Sequence, residues 1–400
     1  MPTPRRSLAI LFAIAALTST GLIAGVAIAA LVAQELLGGA AWSGLPSAIT
    51  ILGTATGTAV LSKLMADRGR RAGFVVGYGV AVLGGFGACA AVAWGRFSLF
   101  LVALFCCGLG HGASQLLRYV AAEWRPARSA AAIGWVVWAG TIGSIAGPAM
   151  LAPGRDLGLS LGLPHLAGPY LITATALGCA LLLSLALPHS PPSIPDGPRE
   201  ATIPGALQVR GLRQNAITLT TMIANQIVMV LIMTMTPVHM SAATSGLGAV
   251  GLVIGAHTFG MFALSPVTGA LAERFGRAPV ITTGAVVVSI SALLAALARS
   301  DEQVMLAIAL FLLGFGWNLS FVAGSARVSD SAEGYERMKL QGVADSTIWM
   351  SAAIASFASG FLFTSFGYAA LCAFGAALVA LPAIVSIGWC GAPAESPASR

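Results

Sequence analysis

PHSPPSIPDGPREATIPGALQVRGLRQ, residues 188–214, is the longest polar stretch in an otherwise oily chain. Its prolines interrupt helix, and its charges of both signs refuse lipid, so it reads as a linker. On each side lie six apolar segments of roughly 20 residues, the length that crosses a ~30 Å hydrocarbon core. The linker thus separates an N-terminal six-helix bundle, 1–187, from a C-terminal one, 215–400. Composition agrees. The 400 residues are 57% hydrophobic and 9% charged, against about 25% charged in a soluble domain, too few to cover a surface in water. The runs are rich in Leu, Ala, Val and Gly without period-two alternation, so they are helices rather than barrel strands. The expected fold is an all-α membrane protein with twelve transmembrane helices in two pseudo-symmetric bundles.

The first run extends from Leu8 to Val32, longer than the ~7–15 apolar residues of a signal-peptide core, and is read as a retained helix. Basic residues orient the chain. Of 21 Lys and Arg, Arg118 lies within a helix and Arg96, Arg155 and Arg299 fall on one side. The remaining 17 fall on the side of the N-terminus, the C-terminus and the linker. That asymmetry places both termini in the cytoplasm and accounts for the formal charge of +7 without nucleic acid. The six Cys form no C-x-x-C and no zinc spacing, and read as small buried apolar residues. No P-loop, nucleophile elbow or HExxH is present, so neither an enzyme nor a bound cofactor is expected, and energy comes from gradients or from binding downstream.

The halves repeat. MADRGRR (65–71) resembles LAERFGR (271–277), with Asp67 and Glu273 206 positions apart, and GLGHGAS (108–114) resembles GFGWNLS (314–320) at the same offset. These features together resemble the major facilitator superfamily, whose signature between helices 2 and 3 is G-x-L-x-D-R-x-G-R-R. The second copy keeps it nearly whole in Gly269, Glu273, Arg274, Gly276 and Arg277. The first departs from it: Lys63 stands at the first Gly, and Asp67, Arg68 and the following glycine lack one spacer. The acids and arginines are candidates for charged contacts that hold in one state and release in another; the alternative is a basic turn that only fixes topology. The family's helix-4 arginine is replaced by Leu104, whereas Gly143, Gly147 and Pro148 supply the G-x-x-x-G-P seen in antiporters. Packing alone also accounts for that motif.

The second bundle concentrates methionine and histidine. Met229 and Met233 lie i, i+4 on helix 7, and His257 and Met261 lie i, i+4 on helix 8, so each pair shares a helix face. At 1.5 Å per residue, Met229 and His257 both lie about 14–15 Å below the outer surface. Thioether and imidazole suit Cu(I) rather than oxygen-seeking ions, and an ionisable side chain at mid-membrane commonly marks a pathway. Met235, His239 and Met240 at the outer mouth are candidates for first capture. The competing reading is methionine as core filler. The M-x-x-x-M and H-x-x-x-M pair resembles the copper-importing, CcoA-like (CalT) branch of the superfamily. That resemblance implies copper import across a bacterial cytoplasmic (inner) membrane, with a downstream copper-binding protein or oxidase assembly factor as partner.

Other intramembrane polar groups leave a second class open, a proton-coupled exporter or carrier of small organic molecules, a drug or a vitamin. Arg118 either snorkels to the cytoplasmic side or pairs with Asp345. Asp345 is a first-turn acid or a proton carrier. His111, Gln115, Asn225, Gln226 and Asn318 line a cavity or bond helix to helix, and Trp135, Trp138, Trp317 and Trp349 could wall a site for an organic solute.

Overall fold

A computed structural model describes residues 4–37, 44–188, 206–241, 247–332 and 334–390. Among them there is no strand, and eleven helices are long and apolar enough to cross a membrane. The first unit begins with α1 (Pro4–Leu37), α2 (Leu45–Arg68), α3 (Arg70–Ala93), α4 (Phe97–Trp124) and α5 (Ser129–Ala149), followed by a short α6 (Leu151–Ser160) and by α7 (Gly168–Leu185). Then come α8 (Ala206–Ser241), α9 (Leu247–Phe262), α10 (Ser265–Phe275), α11 (Arg277–Leu297), α12 (Gln303–Asp330) and α13 (Gly334–Cys390). Residues 189–205 of the linker lie outside the described residues. The rest of it, from Ala206, is already helical as the start of α8.

The count of eleven and the expectation of twelve meet at Gly367. The 57 residues of α13 would run about 85 Å at 1.5 Å per residue, far beyond a ~30 Å core. Gly367, at φ 79° and ψ 171°, breaks the helix in a conformation open essentially to glycine, so two crossings share one name. The eighth expected span is divided instead. α9 stops at Phe262 and α10 restarts at Ser265, with a proline in its first turn, where the missing N–H costs nothing.

By internal packing the chain falls into two units. One comprises Met1–Ile203 with Val328–Phe357, the other Pro204–Arg327 with Ala358–Arg400. Residues 328–357 thus pack with the first unit although they follow the linker. In the first unit one core gathers Leu11, Phe74, Tyr78, Leu116 and Tyr119, and a second gathers Ile28, Phe100, Leu104 and Tyr170.

Close helix crossings carry the repeat into three dimensions. α2 and α4 approach through Gly53 and Gly57 on one side and Gly108 and Gly112 on the other. A Cβ on Gly108 would strike the Thr50 carbonyl oxygen and sit 3.0 Å from the Gly53 Cα. In the second unit α9 and α12 cross through Gly260 and Gly314, where a Cβ on Gly314 would strike the His257 carbonyl and sit 2.9 Å from the Met261 nitrogen. Gly108 and Gly314 are equivalent in the repeat. The two signature loops match as closely: Gly69 has φ 89° and ψ 157°, and Gly276 has φ 90° and ψ 159°. The spacer missing from the first copy is absorbed by ending α2 at Arg68, so the turn itself is unchanged.

Candidate functional site

Buried polar groups gather in two places, one in each unit. In the first, α13 is fixed against α2: Ser346 donates to the Ala55 carbonyl at 2.9 Å and meets the Thr58 hydroxyl at 3.1 Å, and Gly342 leaves room for Ser62. This anchoring aims Asp345 at α4. Its Oδ1 accepts from Arg118 Nη2 at 2.5 Å and from the Tyr119 hydroxyl at 3.0 Å. Both charged side chains are essentially inaccessible, 2% and 1% exposed. Of the readings the sequence left open for Arg118, the structure shows the pair. Asp345 is not a first-turn acid, because the helix starts at Gly334, ahead of the expected position, and the acid in its first turn is Glu336.

The pair continues along α4. Arg118 Nη1 donates to Gln115 Oε1 at 3.1 Å and also to the Gln115 main-chain carbonyl. With its oxygen held by Arg118, the Gln115 amide presents its NH2 to His111 Nε2, 2.9 Å away. His111 packs edge-on against Trp349, ring centroids 5.5 Å apart, and lines a small cavity with Thr18, Leu22, Cys107, Thr173 and Leu177. Three buried polar atoms of this cluster have no partner among the described residues: Asp345 Oδ2, His111 Nδ1 and Trp349 Nε1. Unmet groups of this kind cost about 1–3 kcal/mol each. In a helical polar cluster they are the natural places for a ligand to bond.

The second place is the region the sequence reading singled out for metal. His257 is fully buried and its Nδ1 lies 3.0 Å from the Leu310 carbonyl of α12. That carbonyl can only accept, so Nδ1 carries the proton and Nε2 keeps a lone pair, which is buried and unpartnered among the described residues. Met261 packs beside Gly314 of α12. Met229 is buried in α8, whereas Met233 is half-buried. Among the described residues no group of three or more His, Cys, Asp or Glu is assembled to hold a metal ion. Of the outer-mouth candidates, His239 stacks on Tyr368 at 4.1 Å and reaches the Ala298 carbonyl, Met235 is half-buried, and Met240 is fully buried.

Around them the second unit bonds amide to ring and hydroxyl. Trp317 donates to Gln226 at 2.7 Å, Asn225 to Ser320 at 2.5 Å, and Asn318 to Ser265 at 2.6 Å. Trp135, by contrast, is 56% exposed and faces outward.

The signature loops differ in their side chains. Arg277 pairs with Glu273 of its own loop at 3.3 Å, Arg274 lies exposed over the Phe275 ring, and Gly269 is buried. In the first copy Asp67 and Arg68 are exposed at the end of α2. Arg70 there is buried and binds Glu123 of α4 at 3.3 Å and Gln341 of α13 at 3.1 Å. Sequence reasoning missed Arg70, although its place directly after the turn glycine, like Arg277, was the available signal. It also missed the chain His111–Gln115–Arg118, whose i, i+4 and i, i+3 spacing puts all three on one face of α4.

Residues 216–400 match the family model of the Major Facilitator Superfamily. The chain is 34% identical over 377 residues to the MFS-type transporter YdeG of Bacillus subtilis (strain 168), covering 91% of this chain and 88% of that one. It is 30% identical over 404 residues to the riboflavin transporter RfnT of Brucella anthropi, covering 98% of each. Among solved structures, the human organic anion transporter MFSD10 superposes with a TM-score of 0.73 at 16% identity, over 96% of this chain and all of that one.

Proposed function

This chain belongs to the major facilitator superfamily and is a membrane transporter, and from that premise we propose that it carries a small organic solute by alternating access. The observation that carries the reading is the cluster on α4 and α13, where a carboxylate oxygen, an imidazole nitrogen and an indole nitrogen are buried without partners. An organic ring system bearing its own donors and acceptors meets such groups, and the neighbouring Trp349 and His111 rings offer faces for it to stack on. The 30% identity to a riboflavin transporter over nearly the whole chain makes riboflavin the first probe. The buried Arg118–Asp345 pair and His111 are the groups of this cluster with which a proton can be exchanged, and the reading couples solute flux to protons through them. The basic asymmetry of the loops argues for cytoplasmic termini in a bacterial inner membrane.

A second reading keeps the sequence's copper site. It is favoured by one observation, the buried Nε2 lone pair of His257 with its tautomer set by a backbone carbonyl, the arrangement that a metal-binding imidazole uses. Met229, Met233 and Met261 would supply sulfur. The named relatives lend copper no support.

Uptake in cells expressing the protein separates the two. Riboflavin accumulation that is lost in Asp345→Asn and kept in His257→Ala supports the organic-solute reading. Copper accumulation that is lost in His257→Ala and Met229→Ala, with no riboflavin uptake by the wild type, replaces it with the copper reading.

A further inference from the structure

The hydrogen bonds along α4 form a chain in which each donor fixes the next. Arg118 can only donate, so the oxygen of the Gln115 amide must face it. The Gln115 NH2 can only donate, so His111 Nε2 must accept. A neutral imidazole that accepts at Nε2 carries its proton on Nδ1, the atom left unpartnered among the described residues. One arrangement of three side chains therefore satisfies Arg118, Gln115 and a neutral His111 together.

A second proton on His111 ends that arrangement. Nε2 then bears hydrogen and faces the hydrogens of the Gln115 NH2. The contact is relieved when the amide turns over, giving its oxygen to His111 and its NH2 to Arg118, and two donors then face each other at the other end. Arg118 Nη1 then loses its side-chain acceptor on Gln115, keeps only the main-chain carbonyl and shifts away from the turned amide, and it is the same guanidinium that holds Asp345 at 2.5 Å.

We infer that His111 and Gln115 are positioning residues for transport: Gln115 is a two-position amide switch through which the protonation of His111 loosens or restores the Arg118–Asp345 pair. The step moves one proton, from solvent or solute to His111 Nε2, and makes or breaks no other covalent bond. The inference rests on the reading of that pair as the working part of the carrier. The charged group that acts on His111 is Arg118 of its own helix, Cys107 of that helix shares its cavity, and Tyr119 and Asp345 join through Arg118. α1 and α7 face the same cavity through Thr18, Leu22, Thr173 and Leu177, none of which titrates.

Trp349 gives the test a reporter, because a protonated imidazole at 5.5 Å quenches indole emission. The full chain in lipid nanodiscs is titrated from about pH 8 down to about pH 3, well past the range of a free imidazole, and the Trp349 signal is taken as the difference from Trp349→Phe. A fluorescence step is expected in the wild type and its loss in His111→Gln. Asp345→Asn is expected to displace the step, and the displacement to vanish when Gln115→Leu is also present. A step that survives His111→Gln, or an equal displacement with and without Gln115, overturns the proposal. Nitrogen NMR of histidine-labelled wild-type protein tests the same chain without any variant: a neutral His111 protonated on Nδ1 is expected, and one protonated on Nε2 overturns it. Neither readout needs a transported solute, so failure of riboflavin uptake would leave these outcomes intact, and their failure would not touch the uptake result.

Discussion

α4 and α12 hold the same place in the two halves of the repeat, and they have diverged in charge. Gly108 and Gly314 each seat a helix crossing closer than any side chain would permit. Three residues on, His111 in one copy corresponds to Trp317 in the other, and each ring nitrogen meets a glutamine amide, Gln115 from the same helix and Gln226 from α8. Beyond that the copies part. α4 carries Arg118, buried against Asp345, where α12 has Gly324 and the polar groups near Trp317 are neutral. Duplication preserved the backbone where a glycine was indispensable. The buried charge is found on α4 of the first unit and not at the equivalent position of α12.

The strongest way to break this comparison is to remove one partner of the buried pair. Arg118→Ala or Asp345→Leu alone leaves an uncompensated buried charge and should cost about 3–5 kcal/mol, read as a sharp loss of thermal stability in detergent. The double variant Arg118→Met/Asp345→Leu should recover most of that stability but no transport. A stable, transporting double variant would make the pair mere scaffolding.

The glycine crossings should respond alike in the two halves. Gly108→Leu and Gly314→Leu each force two helices apart and should cost about 1–3 kcal/mol or more. Thermal melts that differ greatly between them would deny that the crossings are equivalent. Gly69→Ala and Gly276→Ala sharpen the same point at the turns, where matched positive-φ conformations predict matched penalties of about 1–3 kcal/mol.

The smallest effects should come from the loop cations, and here the copies should differ. Arg277→Ala removes a half-exposed pair within one turn and should cost under about 1 kcal/mol. Arg70→Ala strips a buried guanidinium from Glu123 and Gln341 and should lower the melting temperature further. Equal losses would mean that burial of Arg70 contributes nothing.

Most of the architecture was legible in the sequence because lipid leaves few alternatives: the apolar segments, the basic asymmetry and the 206-residue offset each follow from composition or spacing. The break at Gly367 was legible in the same way, as an interval between two apolar runs. The grouping of 328–357 with the first unit was not, since nothing in a linear pattern says which helices a span packs against. The same limit governed the candidate sites. Matching depths on helices 7 and 8 suggested that Met229 and His257 meet at one point. Depth does not give rotation, however: the partner of His257 Nδ1, the Leu310 carbonyl of α12, and the lone pair this leaves on Nε2 could be read only from the structure. Arg118 and Asp345 were legible as candidates because buried charge is rare in a membrane span. Gln115 was legible as a cavity or packing residue but not as the link between His111 and Arg118, because spacing places three side chains on one helix face without saying which of them bond.

The pair Arg118–Asp345 joins residues 227 positions apart. At roughly 5–20 residues per second of synthesis, about 10–45 s pass between the appearance of the cation and that of its counter-ion at the ribosome. Through that interval α4 has no acid from α13 to neutralise it, so its lower end must stay within reach of headgroups or water. The first bundle therefore matures in two stages, and its final compaction waits for the chain to return from building the second.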